Sequence, residues 1–472
     1  MSNSRRNFLR QSGLTGLGLA SGWMSNFAST PEDLDRIKEQ AAFSPSQSFN
    51  MCGYAAPKLD VVRVGIVGIG FRGIDAVARM NKIEGVEIKA LCDLRPERVK
   101  LASDMISASG HQPTLYHTDP EAWKKMCSRE DLDLIYILTP WALHTPMAVF
   151  SMNHNKHVCV EVPAGKSLEE LWLLVQTSEK TRKHCMMVEN CCYDFFEMTT
   201  LNMVRQGFFG EVMHCEGAYI HDLSELVFSK EHFYQMWELK EMAARKGNLY
   251  PTHGLGPICQ VMDINRGDKM DYLVSLSNND FVLGKKANEL AAVDAFYKPY
   301  AGKSYNGCMN TTNIRTSKGK SIMVQFDVSS PRPYSRIQLV SGTKAVALKY
   351  PEPGRYSTGH EWMSEEEVKL LEDKYTPAIV KKIGEAAKQV GGHGGMDFLM
   401  DWRTIDCLRN GLPLDQDVYD AALWSSISPL SVWSVANRSN SITVPDFTRG
   451  KWKTNKPIDI SMEKGGTTGV KV

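Results

Sequence analysis

Val61-Val62-Arg63-Val64-Gly65-Ile66-Val67-Gly68-Ile69-Gly70-Phe71-Arg72-Gly73 is the stretch on which the reading of this chain turns. Its first seven residues form a compact apolar run of β type, which Gly68 ends. A helix is expected to follow over 73–80. In such a strand–turn–helix the first glycine permits the tight turn and the second lets backbone approach a pyrophosphate. The third lets helix and strand pack closely, and the free N–H groups of the helix start face the phosphates. Asp93 closes the next β-type run, 86–92, where a carboxylate can accept ribose hydroxyls and repel a 2′-phosphate. Gly68, Gly70, Phe71, Arg72, Gly73 and Asp93 are therefore expected to bind NAD in preference to NADP.

Outward from this unit, helices are expected over 96–109, 144–154 and 168–181, and strands over 134–138, 157–160 and 185–188. The alternation with short joints requires parallel βαβ units. Ligands bind such sheets at the carboxyl ends of the strands. Thr139-Pro140-Trp141-Ala142-Leu143-His144, Glu161-Val162-Pro163 and Glu189-Asn190 occupy three of those ends. Thr139, Trp141, His144, Glu161, Val162 and Asn190 thus join the expected cofactor set. From residue 211 the texture changes, with strand candidates at 212–219, 271–276, 321–328, 337–340 and 345–350. These predict a largely antiparallel sheet, with a helix over 396–410 and a solvated, mixed-charge surface over 366–382. The fold class is α/β: an N-terminal Rossmann-type parallel sheet over 61–190, then a C-terminal α+β domain over 191–472.

The flanking and bulk properties narrow the functional classes. With 55 basic and 54 acidic side chains in 472 residues, nothing argues for a field that gathers nucleic acid or anionic membrane. No nucleic-acid recognition motif and no clustered metal-ligand spacing is present, so neither nucleic acid nor metal is expected. The 11 cysteines include no C-x-x-C pair and read as buried free thiols. Ser4-Arg5-Arg6-Asn7-Phe8-Leu9-Arg10 before a weakly apolar, glycine-rich stretch reads as a twin-arginine export signal within 1–30, which implies a bacterial periplasmic address for a protein folded before export. That stretch is too short and too interrupted for a stable membrane span. Residues 31–60 read as a mobile linker.

Longer pieces carry a family resemblance. They are Tyr136-Ile137-Leu138-Thr139-Pro140-Trp141, Glu189-Asn190-Cys191-Cys192-Tyr193-Asp194-Phe195-Phe196-Glu197 and Gly247-Asn248-Leu249-Tyr250-Pro251-Thr252-His253-Gly254-Leu255-Gly256-Pro257. Ser330-Pro331-Arg332-Pro333-Tyr334-Ser335-Arg336 and His393-Gly394-Gly395-Met396-Asp397 add to them. With these pieces the chain resembles the glucose-fructose oxidoreductases and inositol dehydrogenases, and more closely the NAD-dependent glycoside hydrolases of family 109. The resemblance departs from the plain dehydrogenases at two points. Those carry Glu-Lys-Pro where this chain has Glu161-Val162-Pro163, and an acid four residues before the catalytic His where this chain has Leu249.

The resemblance implies removal of terminal α-linked N-acetylgalactosamine from a glycan. NAD⁺ would oxidise carbon 3, a base would take the carbon-2 proton, the aglycone would leave, water would add, and the retained cofactor would reduce carbon 3 again. The paired carboxylates of ordinary glycosidases are not needed. On this reading His253 serves the carbon-3 hydroxyl, since imidazole changes charge near neutral pH. Tyr250 and Tyr334 bind or polarise sugar oxygens, Tyr193 is the candidate for the carbon-2 proton, and Glu161 orients the ribose or joins the proton relay. Tyr219 and Arg245 are further sugar contacts, and His393-Gly394-Gly395 is a helix entry or a lock beside the pocket. An exposed sheet face would support a homo-oligomer. Two other readings stay open: a sugar dehydrogenase or epimerase, and a non-catalytic protein that binds NAD and sugar.

Overall fold

The computed structural model describes residues 30–471. The arginine pair of the expected export signal lies outside them. The first sheet is built from β1 (Val62–Val67), β2 (Val86–Cys92), β3 (Thr114–Tyr116), β4 (Leu134–Ile137), β5 (His157–Val160) and β6 (Cys185–Met187). All five pairings are parallel, in the order β3-β2-β1-β4-β5-β6. Every residue of β4, β5 and β6 is buried, so apart from His157 at the start of β5 these runs are apolar without alternation. Ile137 pairs with Val160, and Val160 with Met187, which sets the chain exits toward Thr139, Glu161 and Glu189 side by side.

The second sheet comprises β7 (Val212–Ile220), β8 (Met270–Ser277), β9 (Asn310–Thr316), β10 (Ser321–Asp327), β11 (Leu339–Gly342), β12 (Val346–Leu348), β13 (Arg355–Ser357) and β14 (Ile442–Thr443). Its order is β13-β12-β11-β7-β10-β9-β8-β14. Antiparallel pairing dominates as expected, while β7 and β10 run parallel at the centre. Strand β9 escapes the sequence pattern because three of its buried residues, Asn310, Thr312 and Thr316, are polar; Asn310 and Thr312 bond each other and Ser275 of β8, and Thr316 accepts from Lys320 N–H.

One expectation needs correction. Residues 31–60 are not a mobile linker: Thr30-Pro31-Glu32-Asp33 starts a helix, Pro31–Ala41, with a reciprocal Thr30/Asp33 capping box. The chain after it is tied down where Ser48 N–H donates to Glu179 and Met51 N–H to the Tyr419 hydroxyl. Residues 366–382 are mostly exposed, as expected, and form parts of helices Glu365–Tyr375 and Ala378–Val390, which bury Tyr375 and Ile379. The late chain also packs back onto the first sheet. Helix Met396–Asn410 lies against β1, and helix Val418–Ala436 lies between β6 and β8, so the late chain completes the first sheet. Val418–Ala436 is buried on every face over its first 17 residues, and it therefore shows no amphipathic period to read.

All 11 cysteines are free, and all but Cys52 are buried. No helix among the described residues is long and apolar enough to cross a membrane.

Candidate active site

The glycine loop meets the sheet as its spacing predicts. Gly68 holds φ +90°, and a Cβ there would lie 2.5 Å from Leu138 O; at Gly73 a Cβ would lie 2.0 Å from Gly68 O. Neither position admits a side chain. Gly70 faces open space, the cradle a pyrophosphate requires, and helix Phe71–Asn81 starts directly behind it. The residues therefore fit a dinucleotide. Asp93 stands at the same edge, where its carboxylate accepts from Ile69 N–H at 2.8 Å and from Arg95 Nε at 3.1 Å.

A cleft of 3070 Å³ runs from this loop across the ends of β4 and β5 to the second sheet. Gly68, Gly70, Phe71, Arg72, Asp93, Thr139, Trp141, His144, Glu161, Val162, Tyr219 and Tyr250 line it. Arg72 reaches across the floor, giving Nε to Glu161 at 2.9 Å and Nη1 to Asp397 at 2.9 Å. Burial alone would raise the Asp397 carboxyl, but Arg72, the His393 hydrogen bond and Arg79 hold it well below the usual range. Asn190 donates its amide to the other Asp397 oxygen. His393 is thus a lock at the rim, its Nδ1 2.9 Å from Asp397.

Rings converge where the cleft meets the second sheet; Tyr219 and Tyr250 line it, while His253 and Tyr334 stand beside them outside the lining. Tyr219 lies 4.9 Å from Tyr250 and 5.3 Å from His253 between centroids, and Tyr250 lies 4.9 Å from His253 and 5.9 Å from Trp141. Tyr334 joins through His221 at 5.1 Å and Tyr219 at 6.3 Å. His253 is in the first turn of helix Thr252–Val261. Its Nδ1 meets Glu189 Oε1 at 2.7 Å. A carboxylate only accepts, so Nδ1 carries the proton and Nε2 is left as the basic nitrogen. Burial works against the Glu189 anion, yet the His253 imidazole beside it and the Cys191 N–H keep its carboxyl below the ordinary value.

Close backbone packing builds this pair. A Cβ on Gly254 would lie 2.4 Å from Ala218 N, and one on Gly256 would lie 2.8 Å from Glu189 Cγ. The helix can therefore lie on β7 beside Tyr219 with Glu189 beneath it. The acid absent at Leu249 is supplied instead from the end of β6, 64 residues before His253 in the chain. Cys191 brings a third potential ligand atom within 4.8 Å of this pair. Burial raises that thiol well above its usual range, and the carboxylate and imidazole are already bonded to each other. The arrangement is a hydrogen-bonded dyad, not an open donor set.

Several expected contacts fall elsewhere. Tyr193 is buried, and its hydroxyl donates to Asp415 Oδ2 at 3.2 Å, an acid held by Arg403; it does not line the cleft. Arg245 pairs with Glu241 at 2.9 Å and lies 5.9 Å from the Trp141 ring, so it supports the cleft wall from outside the lining. His144 has Nδ1 and Nε2 each 2.7 Å from a carbonyl, of Pro163 and Thr139, and staples the two strand-end loops together. Asn190 acts through Asp397, and Gly73 through packing. Burial raises the phenols of Tyr219, Tyr250 and Tyr334, which makes them hydrogen-bond donors at neutral pH. Arg336 Nη1 fixes Tyr334 Oη at 2.9 Å. Sequence reasoning missed the roles of Glu189, Asp397 and Arg336; the first two could have been sought as carboxylates at strand ends or helix starts.

Comparison with known proteins agrees with this construction. Residues 193–454 match the C-terminal domain model of glycosyl hydrolase family 109, and residues 62–189 match the oxidoreductase-family NAD-binding Rossmann fold. An alpha-N-acetylgalactosaminidase of Bacteroides fragilis is 49% identical over 417 residues, covering 87% of this chain and 97% of that protein. A glycosyl hydrolase family 109 protein of Porphyromonas gingivalis is 46% identical, covering 84% and 86%. A levoglucosan dehydrogenase in complex with NADH and levoglucosan shares the fold, with a TM-score of 0.61 at 16% identity over 82% of this chain and 100% of that one.

Proposed function

Because the chain belongs to glycosyl hydrolase family 109, we propose that it is an NAD-dependent glycosidase that releases terminal α-linked N-acetylgalactosamine from a glycan. The observation that carries this reading is the Glu189–His253 dyad packed against Tyr219 and Tyr250, two rings that line the cleft beginning at the glycine loop. Bound NAD⁺ supplies the oxidant for carbon 3 of the sugar and returns the same electrons at the end of the cycle. His253 Nε2 takes the carbon-3 hydroxyl proton, and the buried Glu189 carboxylate stabilises the imidazolium that results. Tyr250 and Tyr334 donate to sugar oxygens, Trp141 offers its face to the ring, and Tyr219 closes the wall. Glu161, fixed by Arg72, is the rim carboxylate that serves the proton relay once the carbon-2 hydrogen has been acidified. The Tyr193 phenol has no such part, because it faces Asp415.

A cofactor that is regenerated in place need not leave, and an enzyme exported folded through a twin-arginine route would carry its nucleotide with it. Tight retention follows from this reading, and the arginine pair Arg5-Arg6 supports a periplasmic location. The test is to purify the protein without added nucleotide and supply α- and β-linked aryl glycosides. Release of N-acetylgalactosamine from the α-linked substrate, without accumulation of reduced cofactor and abolished in His253→Ala, is expected. Stoichiometric reduced cofactor from the free sugar, with no glycoside cleaved, would instead make the protein a dehydrogenase.

A further inference from the structure

Helix Trp237–Ala244 brings a second acid to the cleft that the cycle above does not use. Glu238 lines the cleft with Tyr219, Tyr250 and His221, and only 8% of its surface is exposed. Trp237 beside it packs against Trp141 at 5.2 Å, which ties this wall to the ring platform for the sugar. The cations nearby are committed elsewhere: Lys166 Nζ meets Glu241 at 2.6 Å, and Arg245 meets Glu241 at 2.9 Å. No hydrogen-bond or ion-pair partner meets the Glu238 carboxyl among the described residues. The other buried acid lining the cleft, Glu161, is paired with Arg72.

An unpartnered carboxyl in such a place is stable only as the neutral acid. Burial, reinforced by the Glu241 charge one turn along the helix, pushes Glu238 up to about 8. At neutral pH it is a proton donor aimed into the space where the substrate must lie. The elimination has need of one, because an alkoxide leaving from carbon 1 of an unactivated glycoside is a poor leaving group.

We propose that Glu238 is the general acid that protonates the departing aglycone oxygen. This role rests on the elimination reading above. As the carbon-2 hydrogen passes to a base, its electron pair becomes the carbon 1–carbon 2 double bond and the carbon 1–oxygen bond breaks. The Glu238 proton goes to that oxygen, leaving a carboxylate. When water adds to carbon 1, the carboxylate takes the water proton and carbon 2 regains a hydrogen, which restores the starting state.

The test compares the holoenzyme with Glu238→Gln on 4-nitrophenyl and methyl α-N-acetylgalactosaminides in deuterated water. The amide keeps shape and hydrogen bonding but cannot deliver a proton. The expected result is a loss of about a hundredfold or more on the methyl glycoside and of less than about tenfold on the nitrophenyl glycoside, whose leaving group needs no acid. Deuterium should still enter carbon 2 of the uncleaved methyl glycoside in the variant, because oxidation and proton abstraction precede departure. Equal losses on both substrates, or no loss on either, overturn the assignment. Absence of carbon-2 label in the unmodified enzyme overturns the elimination reading itself. The leaving-group comparison still decides the role of Glu238 in that case, because any cleavage of a methyl glycoside needs its oxygen protonated.

Discussion

Glu189→Gln is the most informative single change in the dyad. The carboxylate is fully buried and accepts from His253 Nδ1 at 2.7 Å and from Cys191 N–H at 3.1 Å, both on Oε1. The substitution keeps the volume and removes the charge. A hydrogen bond to a charged partner contributes about 1.5–3 kcal/mol, and this one matters most when the imidazole is protonated. Loss of the charge should slow carbon-3 deprotonation by roughly 10- to 150-fold. With its oxygen turned toward the two donors the amide can still accept from both, so the change removes the charge while the hydrogen bonds remain. The assay is a single turnover of the holoenzyme, followed by the transient absorbance of reduced nicotinamide. The effect should appear in the rate of that transient and not in the substrate concentration that half-saturates it, because Glu189 lies beneath His253. A variant that melts like the parent and turns over within about threefold of it would refute the dyad as the proton acceptor.

Other expectations follow from the same geometry. Tyr193→Phe should leave the rate within about threefold, because its hydroxyl serves Asp415, and should cost about 1 kcal/mol in denaturant unfolding; a large loss of rate would restore it as a catalytic group. Gly256→Ala forces a methyl to 2.8 Å from Glu189 Cγ and 2.9 Å from Cys192 Sγ, so it should destabilise by about 1–3 kcal/mol and reduce turnover, which calorimetry and steady-state rates would detect. The buried rings of His157 and His184 are held neutral, the latter pushed down to about 4 by burial and the neighbouring Lys183. Their folded values lie below the unfolded 6.5, so their stabilising share is complete above that pH and is lost as pH falls below it, for His184 down to about 4. For His184 this is roughly 3 kcal/mol. A His184→Gln variant should therefore show a shallower fall of the melting temperature between pH 6.5 and 4; an unchanged slope would exclude this origin of acid lability.

The nucleotide half was legible because its signals are local. Gly68, Gly70 and Gly73 lie within one turn of chain, and β4, β5 and β6 are unbroken apolar runs whose ends carry Thr139, Glu161 and Glu189. The aromatic end of the site was legible only through resemblance, which brought His253, Tyr250, Tyr219 and Tyr334 into one list before the structure brought them into one cluster. What stayed hidden was pairing across the chain. Nothing in Glu189 says that it will lie under a helix that starts 63 residues later at Thr252. Tyr193 reads like its neighbours, but the short 3-10 turn Asn190–Tyr193 directs its phenol to Asp415, away from the cleft. Glu238 stands in Trp237-Glu238-Leu239-Lys240-Glu241, a stretch that resembles any solvated helix until burial decides which acid keeps its proton.

The central claim is that glycoside cleavage proceeds by oxidation at carbon 3 and loss of the carbon-2 hydrogen within one cofactor-bound cleft. Its most direct test is cleavage of an α-N-acetylgalactosaminide in deuterated water, with the released sugar analysed by mass and proton resonance. The account predicts one deuterium at carbon 2 per turnover and a slower reaction when the substrate carries deuterium at carbon 3. Product unlabelled at carbon 2, formed at the same rate from both substrates, would contradict it.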